Sequence, residues 1–234
     1  MRVIAIGPVY NEGERVVEVV RRFSPGLVDE IVIVDDGSTD GAGQKVAQLG
    51  ATVLTLPERS GPGTAIRVGI EYGLKKGYDF FVIFATNGKD NPQEIPRLLK
   101  PILENQADLV QGSRYLEGGG WRNMPLHRVW GVPVYTFLFS LAAGRKITDA
   151  TNGFRAFRRK ILENPAMNLT QEWVQGYTLE SYLFLQTFRL GYRVVEVPIT
   201  KIYPHSKKGY SKQRPIDWWS FFKPVIYLTL RLKK

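Results

Sequence analysis

The chain opens on an apolar run, RVIAIGPVY, cut off by Asn11, Glu12 and Gly13, and the following ERVVEVVRRF sets Val16, Val17, Val20 and Phe23 at helical spacing. Strand, polar loop and amphipathic helix are predicted in that order. The form then repeats. EIVIV is apolar and β-branched throughout, as a strand buried on both faces must be. DDGSTD follows it, where Ser38, Thr39 or Asp40 can cap the helix GAGQKVAQLG. ATVLTLP predicts a third strand, GTAIRVGIEYGLKKG a third helix, and YDFFVIF a fourth strand whose exit loop is ATNGKDNP. Four strands alternating with helices predict an α/β fold with a mostly parallel sheet flanked by helices.

After PQEIPRLLKPILENQ, a helix opened by prolines, ADLVQGSRY predicts a fifth strand, and the regular alternation stops. LEGGGWRNMPLHRVW reads as a long Gly-rich loop, VPVYTFLFSLAAG as a nearly all-apolar helix, and DATNGFRAFRRKILENP as a loop leading into a basic helix. GYTLESYLFLQTFRLGY predicts another apolar-faced helix and RVVEVPITKIYP a returning strand, before a basic loop and an aromatic, amphipathic tail. The expected organisation is one catalytic domain over residues 1–212 with a C-terminal amphipathic tail over 213–234. A chain of 234 residues suffices for one large core, and no repeat or low-complexity linker interrupts it.

Composition narrows the chemistry. Lys and Arg number 32 against 22 acids, a formal charge of +10, so phosphates, nucleic acid or anionic headgroups are the partners to expect. With no cysteine, thiol catalysis, disulfides and thiolate zinc sites are excluded. His127 and His205 stand alone, which argues against a histidine-built metal site. MRVIAIGPVYNEGE is interrupted too soon for a signal peptide, and no run of about 18 apolar residues predicts a spanning helix.

In a doubly wound sheet, ligands bind outside the carboxyl ends of the strands. That rule brings together Asn11 and Glu12, Asp35 and Asp36, and ATNGKDNP. Two acids at the end of a β-branched strand are costly unless something binds them, and a nucleobase edge with ribose hydroxyls suits carboxylates. Capping and turn formation account for Ser38 to Asp40 but poorly for Asp35. RSGPGTAIRVG opens a helix with Gly61 and Gly63, and helix N-terminal amides favour anions. A structural turn explains it equally, and no Gly-Lys-Ser/Thr follows as in a P-loop.

Taken in order and spacing, VYNEGE, IVIVDDGSTD, GPGTAIRVG, QGSRY, DATNGFRAF and KKGYSK resemble family 2 glycosyltransferases, and within them the polyprenol-phosphate mannosyl- and glucosyltransferases, from Val3 to about Lys212. The resemblance implies the GT-A fold, a nucleotide-sugar donor such as a GDP- or UDP-hexose, a lipid-phosphate acceptor and inversion at the anomeric carbon. Carried over by position, Pro8, Asn11, Glu12, Asp35, Asp36 and Asn87 fall at the donor nucleotide, and Arg114 and Arg128 at the acceptor phosphate. Asn152 and Arg155 match the acceptor-side loop that Asp149 opens, with Asn152 where Ser is more usual. Lys89, Arg114, Arg128 and Asp149 form the expected catalytic set, with helix capping an equal alternative for Asp149. A phosphate acceptor already carries its nucleophilic charge, so cationic positioning matters more than a general base. Lys207, Lys208 and Lys212 match a basic loop that binds phosphate, although Ser206 replaces an Arg there. Glu180, an acid in an apolar stretch, either pairs with an arginine of the site or points to solvent.

One stretch departs from the pattern. The resemblance implies Asp-x-Asp followed by Gln, holding Mg or Mn against the donor diphosphate; this chain has Ala85, Asn87 and Lys89. Three readings stay open. One is a metal-independent transferase in which Lys89 supplies charge to the leaving diphosphate, another a metal held by Asn87 and Asp90, and the third a nucleotide-sugar-binding relative without catalysis.

The tail combines Trp218, Trp219, Phe221 and Phe222 with Arg231, Lys233 and Lys234, too short to span but suited to a membrane interface. With VPVYTFLFSLAAG it would form a platform for a lipid acceptor, which places the protein in the cytoplasm, peripheral at the cytoplasmic membrane face. Core packing and a homo-oligomer interface are the other uses of those faces. A nucleic-acid binder would need a basic face studded with aromatics, whereas the basic residues here gather in loops at the edge that holds Asp35 and Asp36, so nucleic acid is not an expected partner. No Gly-x-Gly-x-x-Gly follows the first strand, which argues against a dinucleotide oxidoreductase.

Overall fold

The alternation along β1 (Val3–Val9) decides the layers, because Ile4 and Ile6 point into one core while Ala5 and Val9 point into the other. In the computed structural model, which describes residues 1–203 and 218–233, β1 pairs in parallel with β2 (Glu30–Asp35) and β4 (Phe80–Ile83), and β2 with β3 (Thr52–Thr55). α1 (Glu14–Arg21) and α2 (Ala42–Ala47) cover the Ala5 face through Val16, Val20 and Val46. α3 (Pro62–Lys75) covers the Ile4 face through Ala65, Ile66 and Ile70. Gly69 allows this approach, since a Cβ there would strike Ile6 and lie 3.2 Å from Val34. Helices that leave on opposite faces open a crevice between the carboxyl ends of β1 and β4, the place where such sheets take their ligands.

Beyond β4 the sheet continues through β7 (Arg155–Arg158), β5 (Leu109–Ser113) and β8 (Val194–Pro198), giving seven strands in the order β3-β2-β1-β4-β7-β5-β8. β7 corrects the expectation of a loop and a basic helix around GFRAF. It runs antiparallel between β4 and β5, with Phe157 opposite Phe81 and their rings stacked 5.7 Å apart. The basic helix shrinks to α6 (Arg159–Leu162). The expected last strand also divides after Pro198: β9 (Thr200–Ile202) leaves the main sheet and pairs with β6 (Gly120–Arg122), a piece of the expected Gly-rich loop. α4 (Ile95–Leu103) joins the Ala5 face through Leu98, Leu99 and Ile102.

α5 (Leu126–Ala143) begins earlier than its apolar run, and packs with α7 (Thr178–Arg189) and α8 (Trp218–Thr229) on the Ile4 side. Tyr135 ties the three together. Its hydroxyl donates to the Phe221 carbonyl at 2.9 Å, and its ring meets Phe222 edge-on at 5.2 Å. Arg189 Nη1 donates to the Leu228 carbonyl at 2.6 Å, so the aromatic face of α8 is laid against the domain.

At the far end of the sheet, Asp108 clamps the start of β5. It accepts from Lys160 Nζ at 2.7 Å and from the Arg193 amide and Nη2 at 3.0 and 3.3 Å. Burial pushes this carboxyl up, but the Lys160 and Arg193 bonds outweigh it and hold it below the usual range. A depressed carboxyl contributes stability above its unfolded value near 4 and loses it as pH falls through the lower folded value. Because Lys160 and Arg193 are half-exposed, Asp108→Asn is expected to cost only about 1–2 kcal/mol at pH 7. Urea unfolding from pH 7 down to pH 3 should show the variant and the wild type converging.

Candidate active site

The crevice between β1 and β4 holds a cavity of about 220 Å³. Pro8 comes to it from β1, Tyr10 and Glu12 from the loop beyond, Asp36 from the exit of β2, Arg59 from the loop before α3 and Pro62 from the first turn of α3. Ala85, Asn87 and Lys89 enter from the β4 exit loop, Arg114 from the exit of β5, and Arg128 from α5. Of the residues expected at the site, Pro8, Glu12, Asp36, Asn87, Lys89, Arg114 and Arg128 therefore share one space.

The first two loops are stitched to each other. The Asn11 amide donates to Ser38 Oγ at 3.0 Å, and Asn11 Oδ1 accepts from the Thr39 amide at 2.8 Å. Asn11 has φ 48°, a left-handed conformation that asparagine tolerates better than most residues. Asp40 does not cap α2 in the usual way; its Oδ1 accepts from Ala42 N and its Oδ2 from Gly13 N. Asp35 and Asp36 are buried, and the cost of burying them is met inside the chain. Asp35 Oδ1 accepts from Ser38 N at 2.8 Å. Asp36 accepts from the amides of Ser60 at 2.6 Å and Gly61 at 2.9 Å, at the mouth of α3. Asp36 still borders the cavity, whereas Asp35 and Asn11 hold the loops behind it.

The β4 exit loop brings its charge in an unexpected form. Lys89 is only 6% exposed and lies 5.4 Å from the Tyr203 ring centre. Burial, with Arg128 and Lys201 nearby, pushes its ammonium down to about 7, against the opposing pull of Asp90 and Glu12. Asp90 is 1% exposed and turned away from the cavity; Oδ2 accepts from Ala85 N at 2.8 Å, and Oδ1 pairs with Lys201 Nζ at 2.8 Å. The pair Asn87 and Asp90, expected as metal donors, thus does not converge, because one is a neutral amide at the cavity wall and the other a buried carboxylate already neutralised. Among the described residues no group of three or more His, Asp or Glu gathers that could hold an ion. This donor set does not fit a divalent cation, which needs several hard oxygen ligands.

Arg114 and Asp149 form a buried bidentate pair. Nε donates to Oδ2 at 2.6 Å and Nη2 to Oδ1 at 2.8 Å, while Nη1 donates to Tyr203 Oη and Nη2 to Thr151 Oγ1, both at 2.6 Å. Burial disfavours the Arg114 charge, but Asp149 overcomes it and raises the guanidinium above its ordinary value. Asp149 itself is fully buried and reaches the cavity only through Arg114. It caps no helix, since the next one begins at Arg159. Glu196 fixes it from behind, accepting from the amides of Thr148 and Asp149 at 2.8 and 3.0 Å; burial pushes the Glu196 carboxyl up.

Asn152 and Arg155 were expected at an acceptor phosphate, but both are buried behind the cavity wall. Arg155 spends Nη1 on the Glu180 carbonyl and Nη2 on the Asn152 carbonyl. Asn152 donates to the Gly112 carbonyl and accepts from Lys201 Nζ at 2.7 Å. Their work is to hold the loop and to aim Lys201. Glu180 does face the cavity and lies against Gly153 so tightly that a Cβ there would strike Oε1. Lys207, Lys208 and Lys212 lie outside the described residues. Sequence reading missed Lys201, Tyr203 and Arg59; the one available signal was a lysine inside the otherwise apolar strand pattern PITKIY.

The comparisons agree with this architecture. The family model described as Glycosyl transferase family 2 matches residues 5–164. The undecaprenyl-phosphate mannosyltransferase of Micrococcus luteus is 35% identical over 209 residues, covering 86% of this chain and 83% of that protein. The polyprenol monophosphomannose synthase of Mycolicibacterium smegmatis is 34% identical over 206 residues, covering 85% and 77%. Among solved structures, glucosyl-3-phosphoglycerate synthase from Mycobacterium tuberculosis, in complex with Mn2+, UDP and glucosyl-3-phosphoglycerate, superposes with a TM-score of 0.70 at 21% identity, covering 100% of this chain and 81% of that one. That likeness establishes the GT-A fold. The family match over most of the chain establishes more: this protein is a glycosyltransferase and belongs to glycosyl transferase family 2.

Proposed function

We propose that the protein transfers a hexose from a GDP- or UDP-linked donor to a polyprenol-phosphate acceptor at a membrane surface, with inversion at the anomeric carbon. The observation that carries this reading is that one cavity is lined by two kinds of group. Asp36 and Tyr10, whose ring has the Arg59 guanidinium 4.3 Å from its centre, suit a base and ribose. Lys89, with Arg128 and Lys201 close to it, and Arg114 line the same cavity and suit phosphates. The named mannosyltransferase relatives supply the acceptor class. An acceptor phosphate oxygen attacks the anomeric carbon, the bond from that carbon to the diphosphate oxygen breaks, and the cations stabilise the charge that leaves. A single displacement of this kind inverts the centre. Incubation with radiolabelled GDP-mannose, GDP-glucose, UDP-glucose or UDP-N-acetylglucosamine and undecaprenyl phosphate in detergent, followed by organic extraction, tests it. Label should move into the organic phase with one donor. No transfer from any of them would sink the reading.

The membrane part rests on α5. No helix among the described residues is long and apolar enough to cross a membrane. Yet Leu126, Trp130, Val134, Phe137 and Leu141, spaced four, four, three and four residues apart, are all well exposed, so they make one apolar stripe along the helix. Arg145 and Lys146 follow at its end, the pattern of a helix lying in a headgroup layer. Phe137→Glu is expected to lower binding to anionic phospholipid vesicles by about tenfold or more, by removing apolar contact and adding repulsion. Co-sedimentation checks this, and nucleotide binding should be unchanged.

A further inference from the structure

We infer that in this protein Lys89, flanked by Lys201 and Arg128, takes the place of a divalent ion at the donor diphosphate, so that nucleotide binding needs no metal. The inference rests on the proposed nucleotide-sugar donor.

Three observations carry it. First, the charge balance closes without an ion: two carboxylates with a divalent cation sum to zero, whereas Ala85 and Asn87 are neutral and Lys89, its ammonium at about 7, adds between 0 and +1, the charged form being favoured once a diphosphate lies beside it. The pocket is thus at least as positive as a metal-loaded one. Second, the one carboxylate of the β4 exit loop is withdrawn. Asp90 is buried, accepts the Ala85 amide and is paired with Lys201, so freeing it to ligate would break both contacts. Third, the cations are built into the wall. Lys201 Nζ donates to Asn152 Oδ1 at 2.7 Å and lies 2.8 Å from Asp90 Oδ1 as an ion pair, and the residue lines the cavity. Lys89 lies beside the Tyr203 ring, and its backbone carbonyl accepts the Ile202 amide at 3.1 Å. That bond joins the β4 exit loop to β9 and so ties together the two segments that carry the lysines.

Calorimetric titration with GDP and with UDP, in chelator and in excess Mg2+ or Mn2+, tests the inference with a readout separate from turnover. For the nucleotide that binds, the wild-type Kd should change by less than about threefold between the two conditions. Lys89→Gln should weaken it about tenfold or more in chelator, the loss of one charge-assisted contact, with affinity for the bare nucleoside unchanged. Asp90→Asn with Lys201→Met removes both members of the buried pair and should also weaken diphosphate binding, while melting confirms the fold. The triple variant Ala85→Asp, Asn87→Asp, Lys89→Gln should bind about tenfold more tightly with Mn2+ than in chelator. Wild-type binding that tightens tenfold on adding Mg2+ or Mn2+, or a Lys89→Gln variant that binds as well as wild type, overturns the inference and leaves the proposed function standing. Failure of both nucleotides to bind under either condition overturns both.

Discussion

Asp149→Ala is expected to cost about 3–5 kcal/mol of folding stability, seen as a large fall in the denaturant midpoint. The reason is the charge that remains. Arg114 is 3% exposed, and with Asp149 gone its Nε and one Nη2 proton face a cavity too small to hydrate a guanidinium well. The loss is that of stranding a buried cation, not of one hydrogen bond. Asp149→Asn keeps an acceptor for Arg114 and should cost less. A double replacement by apolar residues, Arg114→Met with Asp149→Leu, should recover most of the stability, because well-packed apolar pairs often match buried ion pairs. Transfer should not recover with it: Arg114 Nη1 fixes the Tyr203 hydroxyl at 2.6 Å, and both residues line the cavity. Recovery of fold without recovery of transfer is the signature that separates the two roles. A single Asp149→Ala variant that melts like the wild type would show that the pair is not buried as described.

What could be read from the sequence, and what could not, follows the range of the interactions. β1 to β4 and their helices were legible because apolar period and loop chemistry are written locally, and the family pieces lie on those loops. β7 was not legible. It is four residues long, carries an arginine at each end, and finds Phe81 as the partner of Phe157 from 76 positions away, a contact with no local signature. Asp35 and Asp36 were legible as acids in need of partners. That Asp36 finds the Ser60 and Gly61 amides could not be read, since those donors come from the turn that opens α3. Asn152 and Arg155 illustrate the limit from the other side: position in a motif placed them at a ligand, and the fold turns them inward to carry the loop.

Lys201 is the clearest such case, and it yields the second large effect. In the linear sequence it follows Thr200 at an unremarkable place in a strand. Its burial arises because β9 pairs with β6 and its Ile202 amide donates to Lys89, which turns the ammonium onto Asp90 and Asn152. Lys201→Met should cost about 3–5 kcal/mol, since it strands the Asp90 carboxylate at 1% exposure. Asp90→Asn alone strands the lysine instead, but Lys201 borders an open cavity and can draw on water, so the smaller loss is expected there. The double variant removes the charge problem and should fall short of the sum of the singles by about 2–3 kcal/mol, the coupling typical of a contacting buried pair. Urea denaturation of the four proteins closes this cycle. Strict additivity would mean that the two groups do not share their charge in the folded protein. Coupling would identify the link between the β4 exit loop and β9 as an electrostatic one, held by the cation that the cavity displays.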